Sequence, residues 1–91
     1  MRLCANDVAV APGRIVYTQW LNERGGIEAD LTVTRLSETR YLVVTAGVAA
    51  RRNFAWAHRQ LANAPDVALV DMTSAEAVMS VMGPNSRALL E

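Results

Sequence analysis

The amino-acid sequence predicts an α+β fold: a mostly antiparallel sheet covered on one face by helices. Three observations predict it. A β-branched and aromatic run fills 15–21 and an alternating run 28–36, on either side of the turn cluster "NERGG", and a third run, "YLVVTA", follows the turn "SETR". From Val48 the apolar spacing lengthens to three and four, with Ala50, Phe54, Ala57 and Leu61 on one helical stripe. Beyond it, "VALVDM" and "AVMSVMG" enclose "TSAE" and read as two further strands.

Taken in order, Pro12-Gly13 turns the chain into the first strand. "NERGG" makes 15–21 and 28–36 an antiparallel hairpin, and the third strand extends it to a meander. The helix ends at "NAPD", because Pro65 disfavours helical geometry at Ala64. The crossover from third to fourth strand resembles half of a ferredoxin-like unit. The final segment, "GPNSRALLE", begins a helix with Asn85 as its N-cap and stops after about two turns. Residues 1–91 are therefore expected to be a partial domain, truncated at the C-terminus.

Ninety-one residues make one small domain at most. A chain of this size buries only roughly 60–65% of the surface it exposes when unfolded. The formal net charge is zero, so neither nucleic acid nor a membrane is expected as a partner. The apolar runs fall short of the roughly 20 residues that span a bilayer, and residues 1–11 lack the features of a signal peptide. A single cysteine, Cys4, excludes an internal disulfide and fits a reducing compartment.

An aspartate in the middle of the second strand is the residue that asks for an explanation, since strands tend to exclude it. Alternation puts Glu28, Asp30, Thr32, Thr34 and Leu36 on one face, and Ala29, Leu31, Val33 and Arg35 on the other. The plain reading is a solvated face of a sheet that packs on helices through its other side. The functional reading adds Gly25-Gly26, which lets the backbone come close to something, and Tyr17 on the facing strand. A carboxylate, an aromatic ring and threonines on one face can hold a flat, nitrogen-rich ligand. Elsewhere, His58 reads as a solvated helix residue, Cys4 as a buried thiol and Trp20 and Trp56 as core anchors. The methionines of 72–82 read as core filler. "GPNSR" lacks the glycines and lysine of a phosphate loop.

Three stretches, "IVYTQWLNERGGIEADLTVTRL", "RYLVVTAG" and "GPNSRALL", carry a resemblance to the aminomethyltransferase folate-binding family. That family includes the T-protein of the glycine cleavage system and the C-terminal regions of dimethylglycine and sarcosine dehydrogenases. The wording here is closer to the flavin-linked branch, because T-proteins usually carry two adjacent aspartates where this chain has Ala29-Asp30.

The resemblance implies a T-protein-like folate-binding domain and tetrahydrofolate-dependent transfer of an aminomethyl or methylene unit. Asp30 would be the catalytic acid/base beside the folate nitrogen. Tyr17 would pack near the folate, Thr32 would join it on the same strand face, and Thr45 falls where T-proteins commonly have an asparagine in the pterin region. FAD would bind only in an upstream region, since no G-x-G-x-x-G occurs here. Expected partners are folate, a one-carbon unit derived from a methylated glycine, and the remaining subdomains of a parent chain. A cytoplasmic location is expected, or the mitochondrial matrix for a eukaryotic source. The isolated chain is expected to be inactive and open to self-association through strand edges. The alternative is a folate-binding or structural module without catalysis.

Overall fold

The computed structural model describes residues 3–91. Strands β1 (Ile15–Leu21), β2 (Ile27–Arg35) and β3 (Tyr41–Thr45) form an antiparallel meander in the order β1-β2-β3. A 3-10 turn, Gly47–Ala49, leads into helix α1 (Ala50–Gln60), and a short helix α2 (Ser86–Leu90) closes the chain. The α+β class and the three-strand meander agree with the sequence reading.

β2 is the central strand, so it has partners on both edges and its alternation decides what is buried. Ala29, Leu31 and Val33 lie at 8%, 3% and 4% exposure and form the core with Trp20, Trp56 and Ala57. The rings of Trp20 and Trp56 stack with centroids 5.4 Å apart and 25° between planes, which seats α1 on this face. Such aromatic pairs add about 0.5–1.5 kcal/mol beyond the area they bury. The buried residues of α1 are Asn53, Trp56 and Ala57. The helix is thus rotated from the stripe expected through Ala50, Phe54, Ala57 and Leu61, because the larger indole takes the inner position against Trp20.

Thr18 is fully buried beside this core, and its hydroxyl is satisfied by the Asn6 backbone N–H at 3.0 Å. The N-terminal segment runs along the outer edge of β1. Leu21 N–H donates to the Leu3 carbonyl at 3.0 Å, Ala5 N–H donates to Gln19 at 2.9 Å, and Cys4 forms a bridge to Trp20. That edge is covered, which blocks pairing with another chain there. Arg35 ties the far end together, donating to the carbonyls of Val10 at 2.8 Å, Glu38 at 3.1 Å and Ser37 at 3.2 Å.

The two strands expected at "VALVDM" and "AVMSVMG" do not form; both segments are irregular. Val70, Val78, Met79 and Met82 stand at 69%, 82%, 85% and 84% exposure, so these methionines are not core filler. A short apolar run prepares a segment for a sheet, but a strand also needs a neighbour for its backbone groups. The crossover through α1 is present, and the strand it would deliver is not paired. The radius of gyration, 14.9 Å, accordingly exceeds the roughly 12 Å of a compact domain of this length. Asn85 occupies the N-cap of α2, but its side chain makes no capping hydrogen bond.

Removing the stacked ring tests how the helix is held. Trp56→Ala should cost about 3–5 kcal/mol, a large part of the roughly 5–15 kcal/mol available to a domain. Urea unfolding followed by far-UV circular dichroism should show a lost or strongly lowered midpoint. An unchanged midpoint would mean that α1 is seated by something else.

Candidate functional site

The register between strands assembles the second face of the sheet. Gln19 pairs with Asp30, Tyr17 with Thr32 and Ile15 with Thr34 across β1 and β2. Thr32 pairs with Val44 and Thr34 with Leu42 across β2 and β3. Directly opposed residues share a face, so all of these lie away from α1. Tyr17 is 59% exposed, Ile15 65%, Val44 44% and Leu42 39%. This is more than a solvated polar face. A carboxylate and an amide sit at one end, and an aromatic ring and three aliphatic side chains extend from them. Apolar side chains thus stand exposed beside a carboxylate on one open face.

Asp30 is the centre of the polar end. Gln19 Nε2 donates to Asp30 Oδ1 at 3.2 Å. Tyr17, opposite Thr32, is the diagonal same-face neighbour of Asp30, and the nearby carboxylate holds the phenol above the usual tyrosine range. Desolvation adds to the rise, while the Gln19 amide, which stabilises the phenolate, pulls the other way. Tyr17 is therefore a protonated donor at neutral pH.

The turn that delivers Asp30 depends on two glycines for different reasons. Gly25 has φ +80, a region that residues with a Cβ disfavour. Gly26 lies against the Asn22 side chain: a Cβ there would meet its Nδ2 at 2.9 Å. Asn22 organises the loop, its Oδ1 accepting from the N–H groups of Gly26 at 2.9 Å and Arg24 at 3.0 Å. A register shift at Trp20/Leu21 leaves Glu28 as the extra residue of a bulge. Its carboxylate accepts from Asn22 Nδ2 at 3.0 Å and from Arg52 of α1 at 2.7 Å. Asn22 first, then Arg52, lowers the Glu28 carboxyl against the opposing effect of desolvation. Because the folded value is depressed, this tie is present above the ordinary carboxyl range and is lost as pH falls through the folded value.

The structure brings Asp30, Tyr17 and Thr32 together and leaves Thr45 apart. Thr45 pairs with Leu31, on the helix-facing side, and its Oγ1 accepts from Asn53 Nδ2 at 2.8 Å. It anchors the start of α1 and shares no face with Asp30. Gln19, Val44 and Leu42 were not singled out from the sequence; their signal was cross-strand register, which a single strand does not contain. His58 is exposed on α1 and lies 6.2 Å from Phe54, centroid to centroid. Burial pushes the Cys4 thiol up, which favours its protonated form. Two shallow concavities lie away from Asp30, one at Leu21–Arg24 with Gln60 and one between His58 and Leu69. Among the described residues, no group of three or more His, Cys, Asp or Glu side chains could hold a metal ion. No helix among them is long and apolar enough to cross a membrane.

The frame and its face define an α+β module that displays a carboxylate, a tyrosine and an apolar strip on an open sheet. The chain belongs to the GCVT N-terminal domain family, whose match covers residues 1–91. It is 44% identical over 92% of its length to a 4-methylaminobutanoate oxidase (formaldehyde-forming) of Paenarthrobacter nicotinovorans, covering 10% of that protein. It is 33% identical over 98% of its length to the mitochondrial sarcosine dehydrogenase of Homo sapiens, covering 11% of it. An aminomethyltransferase of Bordetella petrii is 39% identical over 96% of the chain, which spans 24% of that relative. The chain thus spans a quarter or less of these relatives, all of which are enzymes by name. No solved structure matches it. The resemblance read from its three motifs is borne out.

The Tyr17–Asp30 contact can be checked by titration. In a Tyr41→Phe background, absorbance at 295 nm should show Tyr17 ionising above the usual midpoint of about 10. Since its folded value is raised, the contact persists below that range and is lost as pH rises through the folded value. Asp30→Asn should lower the midpoint, and an unshifted midpoint would remove the contact from the account.

Proposed function

We propose that this chain supplies the acid/base carboxylate, and part of the ring-binding surface, of a tetrahydrofolate-dependent one-carbon transferase. The parent would be a dimethylglycine or sarcosine dehydrogenase-like enzyme. The observation that carries the reading is Asp30 on an open sheet face, hydrogen-bonded to Gln19 and sharing that face with Tyr17, Thr32 and Val44. A flat, nitrogen-rich ring fits such a surface: the tyrosine and aliphatic side chains can take its face, and the carboxylate can take an N–H. The motif resemblance and the aminomethyltransferase and sarcosine dehydrogenase relatives support the same reading.

Bound folate supplies a nucleophilic anilinic nitrogen. Asp30 would accept the proton this nitrogen sheds on bonding to the one-carbon unit of an iminium donor, whose π pair moves onto the donor nitrogen. It would return that proton to the donor nitrogen as its remaining bond to the carbon breaks and the amine leaves. Ionised Asp30 also stabilises the positive charge that develops before the proton leaves. Tyr17, beside the carboxylate on the same face, would offer its ring as a stacking surface. The open face has no walls, so the remaining subdomains of the parent would complete the cleft, and FAD would bind in that remainder. A cytoplasmic or mitochondrial-matrix enzyme is the matching location.

Flatness is also the observation that favours the second reading, a folate-binding module that positions a ligand without reacting with it. Labelled methylene transfer in the full-length protein separates the two. Asp30→Asn should reduce formation of labelled methylenetetrahydrofolate by about 10²-fold or more, the scale of general acid–base catalysis, with amine oxidation largely intact. Unchanged folate product would sink the catalytic reading.

A further inference from the structure

We propose that Gln19 is a positioning residue for Asp30, its side-chain amide fixing the rotation of the carboxylate that the one-carbon acceptor meets. The inference rests on the functional reading above and adds a residue to that site. Three observations carry it. Gln19 and Asp30 are direct cross-strand partners, so their backbones hold the two side chains at the separation of an opposed pair. The amide donates to Oδ1 at 3.2 Å. Gln19 is half-buried, whereas Asp30 is exposed, so the more constrained partner holds the freer one.

The role follows from counting donors and acceptors. An ionised carboxylate is acceptor-only, with about four lone-pair positions. The Gln19 amide engages Oδ1, which leaves acceptor positions on both oxygens for an incoming N–H. Without Gln19 the carboxyl group turns about its Cβ–Cγ bond and meets the acceptor nitrogen in a broader set of directions. A ring lying over Tyr17 and Val44 would exclude water from this corner, and the amide–carboxylate bond would strengthen as it did so. Glutamine is suited to the task, because it donates to the carboxylate without bringing a charge that would compete for the transferred proton.

The test uses the full-length protein, with Gln19→Leu, Gln19→Glu and Asp30→Asn compared side by side. Gln19→Leu should lower kcat for methylene transfer to tetrahydrofolate about tenfold, the scale of one hydrogen bond to a charged group, and change the folate KM less than twofold. Gln19→Glu sets a second carboxylate against Asp30, so the acid limb of its kcat profile should move to higher pH. In the 91-residue chain, side-chain amide NMR should show the Gln19 Nε2 resonances shifted by Asp30→Asn, which reports the contact independently of turnover. A Gln19→Leu enzyme with unchanged kcat and pH profile, while Asp30→Asn is impaired, would overturn the role of Gln19 and leave the proposed function standing. An active Asp30→Asn enzyme would overturn both.

Discussion

The stacked pair of Trp20 and Trp56 seats α1 on one side of the sheet, and much else depends on that choice. Because side chains alternate along a strand, the helix that buries Ala29, Leu31 and Val33 also commits Asp30, Thr32, Tyr17 and Gln19 to the opposite face. A shift of one residue in either strand would bury the carboxylate and expose the core, which is why register here is strongly specified. The tension between an aspartate and a central strand is resolved by this division: the inner face stabilises the fold, and the outer face is free to carry chemistry.

Polar contacts at the edges of the core refine what the aromatic stack sets coarsely. Asn53 reaches Thr45 and Arg52 reaches Glu28, so the first turns of α1 are tied to both β3 and the bulge of β2. The bulge turns Glu28 aside from the Asp30 face toward Asn22 and the helix. One consequence is electrostatic. The nearest carboxylate along the strand is paired with arginine and asparagine, and Asp30 is left with the neutral amide of Gln19 and with Tyr17 on the same face. A carboxylate held by neutral partners keeps its charge available for a cation that develops beside it.

Local chemistry made much of this legible. The "NERGG" turn, the alternating runs around it and the change of period at Val48 were enough for the meander, for α1 and for Asp30 and Tyr17 sharing a face. Properties held between segments were not legible. Gln19 joins the site only through its register with Asp30, and Leu42 and Val44 only through β3 pairing with β2. Thr45 shows how strict the parity is, since one step along β3 separates the Asp30 face, where Val44 lies, from the helix face. The segments at 67–72 and 77–83 failed for a related reason: their apolar, β-branched composition suits a strand, but no neighbouring strand receives them. Their apolar side chains remain exposed, as does much of the apolar strip beside Asp30.

The most direct measurement is a titration of the 91-residue chain with reduced tetrahydrofolate at millimolar concentration, read by backbone amide NMR. The account predicts saturable shifts concentrated at Tyr17, Gln19, Asp30, Thr32 and Val44, with the amides of α1 little changed. Shifts confined to α1 and Thr45, or none in a folded chain, would contradict the assignment of the Asp30 face as the folate-binding surface.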